Sequence, residues 1–313
     1  MISVVIPNYN GRRYLEGCLP SLSAQTFEDF EVIVVDNGSK DGSCEYVAEE
    51  FPQVRIVENE ENLGFAGGVN SGIRRARGEY ILTLNNDTVV EGEFIGRLAE
   101  AIGSDGRVGM WASKMLFLDG RINSTGICIS RSGAAWDRGM GEADRGQYDL
   151  VEEVFGPSGG AGLYRREMLD EIGLFDEEFF MYMEDVDLAF RARLAGWRCL
   201  YVPGARVRHV HGGTAGFGSD LSVYYGNRNV LWYPVKDLPA GLLIRSLPWI
   251  AGRSLAVMPY YALRGQGWTV LRAKIDGLLG IPRMLRKRKK VVRRVSSGEI
   301  RKHIRTWSEI REP

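Results

Sequence analysis

Four short β-branched runs alternate with helical patterns over the first hundred residues, and that alternation constrains the fold more than any other feature. Residues 2–6, 31–36, 54–57 and 80–84 read as strands, and residues 12–25, 42–50 and 64–77 as the helices between them. The second run, Glu-Val-Ile-Val-Val-Asp, is continuously apolar inside, as a strand covered on both faces should be. Strands alternating with helices predict a parallel, doubly wound α/β sheet with right-handed crossovers. In such sheets the ligand sits beyond the carboxyl ends of the strands.

Polar residues gather at those ends. Asn8 and Asn10 follow the first strand, Asp36-Asn37-Gly38-Ser39 the second, Glu58-Asn59 the third and Asn85-Asn86-Asp87 the fourth. Each cluster alone is ordinary turn chemistry. Four of them on one rim make a candidate binding site.

Further along, residues 108–157 loosen into Gly-rich segments with Trp111 and Trp136, and residues 156–162 form a flexible bend containing Gly159. Residues 184–195 read as a helix with Val186, Phe190 and Leu194 as its buried stripe and Gly196 as its left-handed cap. Strand patterns at 197–202 and 205–210 follow, and the chain is helical after about residue 220. Asn62 to Gly68 lacks the G-x-G-x-x-G spacing and follows the wrong strand for a dinucleotide fingerprint. Its glycines serve either close helix packing or backbone approach to a ligand.

Ser3-Val-Val-Ile-Pro-Asn-Tyr-Asn-Gly11, Val35-Asp-Asn-Gly-Ser39, Asn62-Leu-Gly-Phe-Ala-Gly-Gly-Val-Asn70 and Leu84-Asn-Asn-Asp87 occur in that order. Phe175-Asp176, Glu184-Asp185-Val-Asp-Leu188 and His209 come after them. This ordered set, spanning residues 2–230, resembles the family 2 glycosyltransferases of the GT-A fold, especially their rhamnosyltransferase-like branch. The resemblance implies a mostly parallel Rossmann-like nucleotide-binding sheet flanked by helices. It implies an inverting transfer of a sugar from a nucleoside diphosphate, dTDP or UDP, with dTDP-rhamnose foremost. The acceptor implied is a cell-envelope glycan or a lipid-linked saccharide.

Under the resemblance, Pro7, Asn8, Tyr9, Asn10, Asn62, Gly64, Asn85, Asn86, Gly159 and Arg228 line the nucleotide-sugar site. Asp36 accepts the imide N–H of uracil or thymine; capping of the Gly38-Ser39 turn is the alternative reading. Asp87 holds the last carboxylate of an Asp-x-Asp motif and is the expected ligand of Mn²⁺ or Mg²⁺, against a plain turn carboxylate. Asn85 replaces the motif's acidic first position. His209, with His211 in reserve, is the second metal ligand, and imidazole favours manganese. Asp185 is the expected general base with Glu184 orienting it, while N-terminal helix capping explains the same carboxylates without catalysis.

The formal net charge of zero is a cancellation: residues 241–313 hold 17 Lys/Arg and 4 Asp/Glu, a net of +13 against −13 for the rest. This divides the chain into a glycosyltransferase domain, residues 1–235 with halves of about 1–105 and 106–235, and a helical basic extension, 236–313. The dense run from Arg283 to Arg294 predicts contact with an anionic membrane through the tail, ahead of a solvated tail or nucleic acid. Trp249, Trp268, Tyr260 and Tyr261 beside aliphatics support an interfacial helix. The N-terminus lacks the basic n-region of a signal peptide, and no uninterrupted run of about 20 apolar residues exists. Four widely spaced cysteines form no zinc or redox motif. Together these features predict a cytoplasmic protein, peripheral on the inner face of the cytoplasmic membrane. Two rival functions are a nucleotidyltransferase, for which the loop after strand one offers only Arg12 and Arg13, and a silent sugar-nucleotide-binding module.

Overall fold

The computed structural model describes residues 1–103, 105–210 and 218–305. Its first part runs β1 (Ile2–Asn8), α1 (Arg12–Ser23), β2 (Phe30–Asp36), α2 (Ser43–Glu50), β3 (Arg55–Glu58), α3 (Gly64–Ile73) and β4 (Tyr80–Leu84). β1 pairs in parallel with β2 and β4, and β2 with β3. Successive residues of β1 enter different cores: Val4 and Ile6 face α1, whereas Val5 faces α3. That two-sided burial is why the runs carry no polar alternation.

The second part adds β5 (Thr88–Val90), α4 (Phe94–Glu100), β6 (Val108–Phe117), β7 (Ile122–Ser124), β8 (Ile127–Ser130), β9 (Ala135–Asp137) and β10 (Glu152–Val154). Then come β11 (Ala161–Arg165), α5 (Arg166–Ile172), α6 (Glu184–Ala195) and β12 (Arg198–His209). The ten-stranded sheet has the order β10-β12-β6-β11-β4-β1-β2-β3, with β5 on β12 and β7 on β6. β11 runs antiparallel between β4 and β6, so the sheet is parallel in its first half and mixed in its second. The two strands expected at 197–202 and 205–210 are one, β12, with an irregularity between Val202 and Arg206. The segment after 108, expected to be loose, contains the ten-residue strand β6. Its Lys114 is fully buried, and Nζ reaches Asp149 and Asp144 at 2.7 Å.

The last part is helical: α7 (Asp220–Asp237), α8 (Ala240–Ala262), α9 (Gly267–Leu279), α10 (Ile281–Arg288) and α11 (Ser297–His303), closed by β13 (Ile304–Arg305). The boundary expected at 235 falls inside α7. β13 pairs with β8, which ties the end of the extension to the body. The basic run is no loose tail. Arg283 pairs with Glu178 at 2.6 Å, Lys287 with Asp176 at 2.5 Å, and Arg294 with Glu171 at 2.5 Å. Of the run's eight basic residues Lys287 and Arg288 are half-buried, and the rest stay exposed. Among the described residues no helix is long and apolar enough to cross a membrane.

Candidate active site

The ends of β1, β2 and β4 lie side by side because the strands are parallel and in register, Asn8 opposite Asp36. Asn8 joins the three ends. It accepts from Asn86 Nδ2 at 2.7 Å and donates to Asp36 Oδ1 at 3.2 Å. Gly11 leaves room for this contact, since a Cβ there would lie 2.1 Å from Asn86 Nδ2. Asn8 and Asn86 open on a cleft of about 910 Å³, walled also by Pro7, Tyr9, Asn62 and Gly64.

Asp36 and Asn10 sit outside that lining. Asp36 is buried behind Asn8, and its Oδ2 accepts the Ser39 N–H at 2.8 Å, so it caps the turn. Asn10 turns its side chain to the N–H of Lys40 at 2.8 Å. Asn62 caps the start of α3 by accepting the Gly64 N–H at 2.9 Å.

A second corner of the cleft is built by β5 on β12, whose register sets Thr88 opposite His209 and so brings Asp87 to the imidazole. His209 Nδ1 lies 2.8 Å from Asn123 Oδ1. A carbonyl oxygen only accepts, so Nδ1 carries a hydrogen. Nε2 is 3.0 Å from Asp87 Oδ1 and 3.2 Å from Asn85 Nδ2. A ring nitrogen and a carboxylate oxygen that close require a proton or a cation between them. This donor set therefore fits a divalent cation, with Asn123 fixing the ring from behind. Among the described residues no group of three or more His, Cys, Asp or Glu converges, so phosphate and water would complete the shell. His211 lies outside the described residues.

Opposite, the first turn of α6 carries Glu184 and Asp185 into the cleft. Asp185 accepts the Gly159 N–H at 2.9 Å and the Val186 N–H at 2.8 Å. Burial nevertheless raises its pKa above the ordinary carboxylate value, outweighing both hydrogen bonds. Glu184 is raised well above its ordinary value, first by burial and then by the Asp185 charge. Its buried Oε2 finds no hydrogen-bond partner among the described residues. Burial and the Asp185 charge favour the protonated form of Glu184, whereas two backbone N–H groups favour the ionised form of Asp185. Asp187, the third carboxylate of this turn, leaves the cleft and pairs with Lys236 at 2.5 Å and Arg191 at 2.9 Å.

The Gly159-Gly160 bend joins the two halves: Asn85 N–H donates to Gly160 O at 2.9 Å, and Thr83 Oγ1 to Gly159 O at 2.7 Å. A Cβ at Gly160 would approach Asn85 Nδ2 to 3.0 Å. Arg228, expected near the diphosphate, is not on the cleft wall. Its guanidinium donates to the carbonyls of Glu178 at 2.8 Å and Phe179 at 3.1 Å and packs 4.0 Å over the Trp232 ring.

Among the cleft residues that escaped the sequence reading are Asn123 and Asp137. Asp137 lies on β9, and burial, with the charge of Asp185 adding to it, pushes its carboxyl up to about 6. Both sit in short irregular strands without a flanking pattern. The α8–α9 junction also reaches the cleft, through Tyr260, Tyr261, Arg264 and Gln266.

The family described as glycosyl transferase family 2 matches the chain over residues 3–173, more than half its length. An N-acetylglucosaminyl-diphospho-decaprenol L-rhamnosyltransferase of Mycobacterium tuberculosis is 29% identical over 289 residues, 84% of this chain and 93% of that one. S. aureus TarS in complex with UDP-GlcNAc superposes with a TM-score of 0.59 at 20% identity, covering 93% of this chain and 88% of the other. Mannosyltransferase PcManGT from Pyrobaculum calidifontis, in complex with GDP-Man and Mn²⁺, gives 0.57 at 19% identity over 88% and 86%. These likenesses show the GT-A fold.

Proposed function

Because the chain belongs to glycosyl transferase family 2, we propose that its cleft transfers a sugar from a nucleoside diphosphate to an acceptor hydroxyl with inversion at the anomeric carbon. One observation carries this reading: Asp185, held by two backbone N–H groups, opens on the same cleft as the paired Asp87 and His209. The nucleotide lies over the strand ends between Pro7, Asn8 and Tyr9. Asp36 stands behind Asn8 and supports this wall by accepting from Asn8 Nδ2 and the Ser39 N–H. The diphosphate turns toward Asn85, Asn86 and Asp87.

Asp185 takes the proton of the acceptor hydroxyl, whose oxygen bonds to the anomeric carbon. The bond to the diphosphate breaks, and the nucleotide leaves with the electron pair. Glu184, whose pKa is raised by burial and then by the Asp185 charge, orients the acceptor or Asp185. Gly159 N–H keeps Asp185 aimed. Asp87 and His209 are the residues that would hold Mn²⁺ or Mg²⁺, and such a cation would screen the charge of the departing diphosphate.

Likeness to the mycobacterial rhamnosyltransferase, whose name gives a diphospho-decaprenol acceptor, supports dTDP-rhamnose as donor and a lipid-linked saccharide as acceptor. The place of action is then the inner face of the cytoplasmic membrane.

Nucleotide release with dTDP-, UDP- and GDP-sugars, with Mn²⁺ or Mg²⁺, tests the reading. Asp185→Asn should bind donor normally and lose at least about 10²-fold in turnover. Retained turnover would remove Asp185 from the role of base.

A further inference from the structure

Helix α8 is inverted. Ile244, Leu247, Ala251, Leu255, Pro259 and Ala262 recur at intervals of three or four residues, and all are exposed. Its buried residues, Ser246 and Ile250, lie on the opposite side. An ordinary surface helix presents charged residues to water at those positions. Helix α9, packed against α8, repeats the pattern with Trp268, Leu271, Ile275 and Leu279 exposed. Leu263 between them is 90% exposed, and Trp268 is 73% exposed. A patch of this extent marks an interaction surface.

Charge names the occupant. Residues 238–290 carry eleven Lys/Arg and a single acidic residue, Asp276. Asp276 is engaged by the Tyr224 hydroxyl at 2.7 Å. Arg245, Arg264, Arg272, Arg286, Lys289 and Lys290 are exposed around the apolar face. A second copy of this chain would bring the same positive charge against itself. An anionic phospholipid surface satisfies both the apolar stripe and its cationic flanks.

We propose that the exposed face of α8 and α9 lies in the interface of an anionic bilayer. This centres membrane contact on α8 and α9, with Arg286, Lys289 and Lys290 of the run 283–294 as flanking charges, while Arg283, Lys287 and Arg294 pair with the protein's own carboxylates. The α8–α9 junction also walls the cleft through Tyr260, Tyr261 and Arg264. Docking on this face sets the cleft mouth at the bilayer edge, where a lipid-linked acceptor reaches Asp185 without leaving the surface. That orientation rests on the proposed acceptor class; the docking itself does not.

Co-sedimentation of the full chain with vesicles tests the docking separately from sugar transfer. Wild type should bind phosphatidylcholine vesicles containing phosphatidylglycerol and bind pure phosphatidylcholine more weakly. Leu247→Glu with Leu255→Glu, neither of them on the cleft wall, should lower partitioning at least about tenfold. The same variant should release nucleotide from donor at the wild-type rate with a water-soluble acceptor, which establishes that it folds. Unchanged vesicle binding in that variant overturns the proposal. So does a wild type that ignores vesicles and forms a dimer the variant breaks. Vesicle binding without turnover on any donor supports the docking and counts against the proposed function instead.

Discussion

Asn229 holds the loop that delivers the candidate base: its Nδ2 donates to the main-chain carbonyl of Tyr182 at 2.7 Å. The same amide reaches the carbonyls of Phe179 and Met181, both at 2.9 Å. The loop needs this support because Phe180, Tyr182 and Met183 have φ of 65°, 64° and 69°. Left-handed backbone costs a non-glycine residue about 1–2 kcal/mol. Gly64 permits the close approach on the other side, where a Cβ would fall 2.4 Å from Phe180 O.

Asn229→Ala therefore leaves buried carbonyls without a donor and should destabilise the fold by about 2–4 kcal/mol in denaturant unfolding. The loop feeds directly into Glu184 and Asp185, so kcat should fall while donor KM changes little. Met183→Gly, which accepts positive φ without strain, should restore part of the loss in the Asn229→Ala background. An unchanged kcat in Asn229→Ala would show that the loop holds its shape alone.

The pH profile follows from the carboxylates around Asp185. Burial raises Asp185 and Glu184, and Asp137 is pushed up to about 6. Raised acids take up protons as pH falls, so kcat/KM should decline on the acid side, with one bend near 6 from Asp137. Asp137→Asn should erase that bend and leave the remaining acid limb in place. A bend near 6 persisting in this variant would assign it to another group.

Asn123 should matter through the imidazole it orients. With Nδ1–H held at 2.8 Å, Nε2 faces Asp87. Asn123→Leu frees the ring and should raise the Mn²⁺ concentration needed for half-maximal nucleotide release by about 10- to 100-fold. An unshifted metal titration would mean that the ring is oriented without Asn123, or that His209 does not meet the metal.

Much of this site was legible in sequence because register places it. Residues 2–8, 30–36 and 80–84 are short apolar strands in parallel, so their trailing Asn8, Asn86 and Asp87 fall on one rim. Glu184-Asp185 could be read because a helix start is a local pattern. Asp137 and Asn123 could not, since they reach the cleft through short strands without periodicity. Lys114 hid the long strand β6, being a buried charge satisfied by Asp144 and Asp149, about 30 residues away. Arg228 looked like a phosphate ligand because composition does not reveal that two carbonyls occupy it. The basic run looked unpaired for the same reason: Asp176, Glu178 and Glu171, the partners of Lys287, Arg283 and Arg294, lie more than a hundred residues earlier.

The ionic cluster beneath α6 gives a stability prediction with a definite sign. Asp176 is held down to about 2, with Lys236 and Lys287 overcoming its burial. Asp237 goes the other way: burial, and then the Asp187 charge, raise it well above the ordinary carboxylate range. Neither Asp237 oxygen meets a donor among the described residues, which favours the protonated form in the fold. A raised acid contributes stability that is fully present below its unfolded value and is lost as pH rises toward the folded one. Across that window the loss is about 1.4 kcal/mol per pH unit. Asp176 has the opposite sign, but its contribution changes only below the ordinary carboxylate range and leaves neutral pH untouched. Asp237→Asn keeps an N–H donor for Asp187 and has no proton to lose. Its urea midpoint should therefore decline less than that of wild type between mildly acidic and alkaline pH, with the variant the more stable at the alkaline end. Glu184, raised in the same direction, leaves a residual slope in both proteins. Parallel midpoint curves for the two would mean that Asp237 is ionised in the fold, with Lys236 its counter-charge.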